Sequence, residues 1–240
     1  MKAMVLAAGA GTRLRPLTDA IPKPMLPIRG EPLLVHLLRW LKRYGVDDVA
    51  LNLHHLPEVI QNELGDGSQL GLNLIYSFEP ELLGTAGAVK KLEAFFAQPF
   101  DQPFVVVYGD LLLDVDLAAL IDYHRSRRTL VTLGLKHTDD PQSQGMVACD
   151  SAGRVLRFVE KPAHWDNEQR TANAGVYVVE PSVLKLIPAD RPSDWGHDLF
   201  PLLIAQNMPL YAQLLDGPVI DIGTPAAYER IKERGLSGQA

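Results

Sequence analysis

At 240 residues, 47% hydrophobic and 22% charged, the chain is long enough to bury a sizeable core and has the balance of a soluble globular domain. Its net charge of −6 argues against bulk nucleic-acid binding, and its single Cys149 excludes an internal disulfide. No stretch approaches the ~20 apolar residues of a membrane span, and Gly9 to Arg15 cut the apolar start too early for a signal peptide. The expectation is therefore a cytoplasmic protein.

In chain order, Ala3 to Ala8 reads as a short buried strand that empties into Gly9-Ala10-Gly11. Leu34, Leu37, Leu38 and Leu41 stand at helical spacing within Glu31 to Tyr44, and Gly45 is the stop. Strands are predicted at Val49 to Leu53, Leu72 to Phe78, Phe104 to Tyr108 and Leu130 to Leu135, alternating with helices at Pro57 to Leu64, Ala86 to Ala97 and Leu117 to Arg127. That alternation predicts an α/β protein with a mainly parallel sheet and helices on both faces. After about residue 138 the pattern loosens. Met146 to Cys149, Val155 to Glu160 and Ala174 to Val179 read as strands with no long helices between them, so a smaller antiparallel part is expected. A helix from about His197 to Gln206, strands Leu210 to Leu215 and Val219 to Ile222, a helix Pro225 to Arg234 and a frayed tail from Gly235 complete the reading. A single domain over 1–240 is expected, with one half to about residue 115 and a second after it.

The chemistry is concentrated at the start. A strand running into two glycines brings backbone N–H groups close to a ligand, and phosphate is the usual one. Thr12 adds a hydroxyl, Arg13 a planar fork of donors, and Lys23 a second cation between Pro22 and Pro24. Residues 1–30 hold Lys2, Arg13, Arg15, Lys23 and Arg29 against Asp19 alone, a local anion site in an acidic chain. It is not a dinucleotide fingerprint, because Leu14 stands where the third glycine belongs, nor a P-loop, because no Gly-Lys-Ser/Thr follows.

Asp110 follows the apolar run Phe104 to Tyr108, where ligands meet a doubly wound sheet, and the strand Val219 to Ile222 places Asp221 in Asp221-Ile222-Gly223-Thr224-Pro225. Each alone reads as a cap or turn residue; as a pair beside a phosphate loop they suit one Mg²⁺ ion. Glu160-Lys161-Pro162 reads either as an exposed charged turn or as a grip on a phosphorylated sugar. Asn173 is a turn residue or a sugar ligand. His54-His55 lacks a third ligand at zinc-like spacing and reads as surface or turn.

The stretch Leu6 to Thr18 followed by Lys23-Pro24-Met25-Leu26-Pro27 resembles the signature of the sugar-1-phosphate nucleotidyltransferases. Members join a nucleoside triphosphate to a sugar 1-phosphate and release pyrophosphate. The resemblance runs to about Tyr228 and implies a Rossmann-like, GT-A-like nucleotide-diphospho-sugar transferase fold. It implies Arg13, Lys23 and Asp110 as catalytic residues, and nucleotide contacts at Ala8, Gly9, Gly11, Thr12, Arg13, Lys23, Glu79, Gly84 and Thr85. Asp110 and Asp221 would hold Mg²⁺, while Gly145, Glu160, Lys161 and Asn173 would meet the sugar phosphate. The implied partners are a nucleoside triphosphate and a sugar 1-phosphate, with no nucleic acid and no membrane.

Short members with Glu-Leu-Leu-Gly-Thr-Ala-Gly point to UTP and N-acetylmuramic acid 1-phosphate, in cell-wall sugar recycling. Glu79-Pro80-Glu81 departs from the Gln usual in uridylyl and thymidylyl transfer, and is similar to the guanylyl enzymes acting on mannose 1-phosphate. A catalytically silent sensor on the same fold is the reading from another class. The chain ends soon after Asp221-Ile222-Gly223-Thr224-Pro225, without the repeats many relatives append, so a monomer is expected.

Overall fold

The computed structural model describes residues 1–96 and 102–233. The predicted helix ends at Ala97 and Arg234 and the predicted frayed tail lie outside them. Thirteen strands are described: β1 (Lys2–Leu6), β2 (Pro27–Ile28), β3 (Glu31–Pro32), β4 (Asp48–Leu53), β5 (Asn73–Phe78), β6 (Phe104–Tyr108), β7 (Leu111–Leu113), β8 (Val131–His137), β9 (Gly145–Cys149), β10 (Val155–Glu160), β11 (Thr171–Val179), β12 (Leu210–Leu214) and β13 (Val219–Asp221). The α-helices are α1 (Leu33–Arg43), α2 (Pro57–Leu64), α3 (Gly84–Lys91), α4 (Glu93–Phe96), α5 (Leu117–Arg127), α6 (Phe200–Ala205) and α7 (Pro225–Ile231). None of the described helices is long and apolar enough to cross a membrane.

Two compact units are assembled from non-consecutive segments. The first takes residues 1–82, 107–115 and 217–240; the second takes 83–106 and 116–216. The boundary falls inside β6, which starts in the second unit and ends in the first.

In the first unit β1, β4 and β5 run parallel, with Leu6 opposite Asn52 and Asn52 opposite Ser77. The apolar runs of β1 and β4 are buried, as befits strands covered on both faces, whereas β5 is only partly buried and ends on the exposed Phe78. Helix α1 buries Leu34, Leu37, Leu38 and Leu41, the four residues whose spacing predicts it. Trp40 lies on the same buried face and donates Nε1–H to the Val115 carbonyl at 3.0 Å. Lys42 and Arg43 in its last turn complement the helix dipole, and Gly45 at φ +74° ends it. The short strands β7 and β13 pair antiparallel, with Asp221 opposite Leu111.

The second unit is mixed. Strands β9 and β10 are antiparallel, β11 pairs antiparallel with both β8 and β9, and β12 lies parallel to β8. Helix α5 starts at Asp116, whose carboxylate accepts the Ala118 and Ala119 N–H groups at 2.9 and 3.2 Å. The helix predicted from about His197 begins two residues earlier, as a π turn from Trp195.

A buried histidine ties α5 to β8. His124 has Nδ1 2.9 Å from the Thr132 hydroxyl and Nε2 3.1 Å from a Glu180 carboxylate oxygen. Burial lowers its pKa from the ordinary value near 6.5, and the Glu180 carboxylate offsets only part of that. The unfolded chain therefore takes up the proton first. Stability is full above about pH 6.5 and is lost as pH falls from there towards the folded pKa. Thermal melts are expected to show a smaller loss between about pH 7.5 and 5.5 in His124→Gln than in the wild type. Equal losses in the two proteins contradict this assignment.

Candidate active site

The glycine loop leaves β1 at Leu6 and keeps Ala7 and Ala8 buried. Gly11 sits at φ +63°, and a Cβ there would stand 2.9 Å from the Thr18 methyl and 3.2 Å from the Lys23 Cβ. Only glycine satisfies both the backbone angle and that approach. Thr18 closes the turn by donating its hydroxyl to the Gly11 carbonyl at 2.9 Å. Beyond it Thr12–Leu14 makes one 3₁₀ turn, which sets Thr12 and Arg13 outward while Leu14 enters the core beside Leu26, Ile28 and Leu33. Leu14, where a dinucleotide loop has glycine, is thus a core anchor.

A cavity of about 200 Å³ opens here, lined by Gly9, Gly11, Thr12, Arg13, Leu14, Lys23, Asp110 and Gly223. Asp110 enters it from the end of β6. Gly109, just before, donates its N–H to the Leu6 carbonyl at 2.9 Å, and a Cβ at 109 would lie 2.9 Å from that oxygen. Asp221 arrives through the β7–β13 pairing, which sets it opposite the residue after Asp110. The pairing is the physical reason two acids so distant in sequence meet.

Lys23 joins them. Its side chain is only 8% exposed, and its ammonium donates to Asp110 Oδ2 in a short contact and to Asp221 Oδ1 at 3.1 Å. A Cβ at Gly223 would stand 3.2 Å from Arg13 Nη2 and 3.0 Å from an Asp221 carboxylate oxygen, so the guanidinium lies near Asp221. Two carboxylates within reach of one cation fit Mg²⁺, which favours one or two protein carboxylates with phosphate and water completing its shell. Among the described residues no group of three or more His, Cys, Asp or Glu side chains forms a richer metal site.

Glu79 follows β5 and is 1% exposed. Its N–H donates to the Leu53 carbonyl at 2.8 Å, and Asn52 donates its amide to Glu79 Oε1 at 3.0 Å. The two histidines are turn residues: His54 Nδ1 is 2.8 Å from the Glu79 carbonyl and His55 Nε2 is 2.9 Å from the Thr18 carbonyl.

In the second unit, Gly84 opens α3 at φ +75°, where a Cβ would meet the Ser193 carbonyl at 2.5 Å. That carbonyl accepts the Ala86 and Gly87 N–H groups at 2.8 and 2.9 Å. Asp194 accepts both the Thr85 N–H, at 3.1 Å, and the Thr85 hydroxyl, at 2.9 Å. Sequence reasoning missed Asp194. A cap supplied from over a hundred residues away leaves no local signal at the helix start.

The remaining site candidates also share the second unit. Gly145 and Glu160 are paired across β9 and β10, and a Cβ at Gly145 would lie 2.7 Å from Glu160 Oε2. A Cβ at Gly196 would lie 3.0 Å from the same oxygen, so two glycines make room for one carboxylate. Asn173 donates to the Tyr177 hydroxyl at 2.7 Å and accepts the Gly175 N–H at 2.9 Å, which fixes its amide at a bulge in β11. Lys161 is held at φ +45° with its side chain exposed and its ammonium 3.8 Å from Glu160 Oε1.

These features are those of a Rossmann-like nucleotide-sugar transferase fold. A putative glucose-1-phosphate thymidylyltransferase from Bacillus anthracis shares it, with a TM-score of 0.85 at 24% identity over 97% of this chain and 94% of that one. HddC from Yersinia pseudotuberculosis superimposes with a TM-score of 0.79 at 27% identity, covering 97% of this chain and 98% of that chain, and has also been solved complexed with GMP-PN. The chain belongs to the nucleotidyl transferase family, whose model matches residues 2–237. It is 40% identical to a UTP–glucose-1-phosphate uridylyltransferase of Synechocystis over 95% of this chain. It is also 40% identical to a mannose-1-phosphate guanylyltransferase of Mycobacterium tuberculosis, again over 95% of this chain. The chain spans 61% and 62% of the length of those two relatives.

Proposed function

We propose that the protein transfers a nucleotidyl group from a nucleoside triphosphate to a sugar 1-phosphate. The observation that carries this reading is that Arg13, Lys23 and Asp110 line one glycine-lined cavity while Asp221 shares the Lys23 ammonium with Asp110. In the reaction an oxygen of the sugar phosphate forms a bond to the α-phosphorus. The bond from that phosphorus to the α,β-bridging oxygen breaks, and pyrophosphate leaves with the electron pair. The attacking oxygen is already ionised at neutral pH, so no general base is required and catalysis is alignment plus charge neutralisation. Backbone N–H groups of Gly9 to Thr12 cradle phosphate oxygens, and the Arg13 guanidinium grips them as a fork. Lys23 supplies positive charge where negative charge builds up on the leaving pyrophosphate. Asp110 and Asp221 would hold Mg²⁺, which when bound neutralises phosphate charge. In the second unit Glu160 accepts from sugar hydroxyls, Lys161 pairs with the sugar phosphate, and Asn173 and the Gly145 backbone complete the grip.

The finer reading is uridylyl transfer from UTP to N-acetylmuramic acid 1-phosphate, by a cytoplasmic monomer in cell-wall sugar recycling. It is supported by Glu81-Leu82-Leu83-Gly84-Thr85-Ala86-Gly87 and by the similarity to a uridylyltransferase. Arg170, His164 and His197, all exposed, are candidates to meet the lactyl carboxylate. Glu79 favours a second reading, guanylyl transfer to mannose 1-phosphate, since a carboxylate accepts from both N1–H and N2–H₂ of guanine. Pyrophosphate release from each of the four nucleoside triphosphates against a panel of sugar 1-phosphates, with and without Mg²⁺, tests both. UTP with N-acetylmuramic acid 1-phosphate is expected to give the highest kcat/KM. Highest turnover with GTP and mannose 1-phosphate selects the second reading. No release from any pair leaves the silent sensor.

A further inference from the structure

Gly223 lines the cavity although its own residue is buried. Its backbone is not left-handed, so, unlike Gly11, its φ angle does not require glycine. A Cβ there would meet three atoms: Asp221 Oδ2 at 3.0 Å, Asp221 Oδ1 at 3.1 Å and Arg13 Nη2 at 3.2 Å. All three are charged tips of side chains. A side chain at this position would therefore press on the site rather than on the core.

The main chain around Gly223 is held from both sides. Ile222 donates its N–H to the Asp110 carbonyl at 3.3 Å, and Asp221 is paired with Leu111 across β13 and β7. After it, Thr224 caps α7 by accepting the Ala227 N–H at 3.2 Å. With the backbone fixed, a methyl group at 223 is accommodated by movement of the charged tips. Asp221 has a further restraint, since its Oδ1 accepts from the Lys23 ammonium at 3.1 Å. Arg13 has no such restraint: it is exposed and, among the described residues, makes no ion pair. The guanidinium is the tip that yields.

We infer that Gly223 is a positioning residue for Arg13: its missing side chain is the seat on which the guanidinium rests near Asp221, which keeps the donor fork in the cavity. This rests on the proposed role of Arg13 as the group that grips phosphate oxygens.

The experiment measures binding of non-hydrolysable UTP and GTP analogues by calorimetry, in EDTA so that no divalent ion contributes. It compares the full-length wild type, Gly223→Ala, Arg13→Ala and the double variant. The triphosphate is common to both analogues, so the two are expected to give the same ratios between variants. Arg13→Ala and Gly223→Ala are each expected to weaken binding about tenfold, the size of one charge-assisted hydrogen bond. In the Arg13→Ala background, adding Gly223→Ala is expected to cost less than about twofold, because the group it displaces is gone. A general loss of packing would instead add its full cost in both backgrounds. Wild-type affinity in Gly223→Ala, alongside weakened binding in Arg13→Ala, overturns the inference. So does an undiminished cost of Gly223→Ala in the double variant. Wild-type affinity in Arg13→Ala refutes the phosphate role of Arg13, and with it the reading on which the inference rests. If Gly223→Ala does not fold, the double variant decides. Folding regained once the guanidinium is removed supports the seat, and a double variant that stays unfolded places the crowding elsewhere and overturns it.

Discussion

Replacing Asp110 or Asp221 with Asn is expected to lower pyrophosphate release by about 10²–10³-fold in each case, the size of other deletions of one electrostatic partner in an active site. The change is nearly isosteric, and both carboxylates are partly exposed, at 28% and 35%, so the fold should survive. What is lost is the pair of negative charges that the short strands β7 and β13 bring together. With one charge removed, the site retains a single carboxylate for a divalent ion while Lys23 still competes for it. Steady-state assays over a range of Mg²⁺ concentrations check this. Both variants are expected to require more Mg²⁺ as well as to turn over more slowly. Turnover within a few-fold of wild type in either variant contradicts the pairing of these acids in catalysis.

The second large effect is expected at Lys23. Its ammonium is enclosed, and it neutralises both acids at once. Lys23→Met preserves most of the apolar stem but leaves two carboxylates facing each other. Breaking a fully buried ion pair from one side costs about 3–5 kcal/mol; because these acids retain solvent contact, about 1–3 kcal/mol is expected. Denaturant unfolding without divalent ions should show this loss, and high salt should shrink it by screening the two acids. Activity should fall by about 10² or more, since the same ammonium is the proposed counter-charge for the leaving pyrophosphate. Lys23→Arg keeps the charge but puts a planar fork where a compact point charge sits, so it is expected to restore stability better than turnover. A Lys23→Met protein as stable and as active as wild type contradicts both roles.

Much of the parallel half was legible because its signals are local. Helical spacing in Leu34 to Leu41, the unbroken Phe104 to Tyr108 run and the proline-to-glycine frame of Pro57 to Gly65 each coincide with the element found, to within a few residues. The site elements that were not legible depend on distant partners. Strand β7 is three residues long and exists only because β13 pairs with it, so Leu111–Leu113 carries no pattern of its own. The 3₁₀ turns at Thr12–Leu14 and Lys23–Met25 are set by glycine and proline geometry and by burial of Leu14 and Met25, which periodicity does not register. Asn52 and Asp194 are single polar residues whose meaning comes from hydrogen bonds across the fold. In the sequence each resembles an ordinary strand or turn residue. The early cations and late acids could be named from motif and charge, but their meeting at Lys23 is a product of topology.

The most direct measurement is a Mn²⁺ titration followed by electron paramagnetic resonance, with a non-hydrolysable nucleoside triphosphate analogue present. Wild-type protein is expected to take Mn²⁺ into the ternary complex, and Asp110→Asn and Asp221→Asn to lose most of that binding while still melting cooperatively. If both variants hold the ion and the analogue as tightly as the wild type, the two carboxylates do not serve a common ion, and the catalytic assignment of this cavity is wrong.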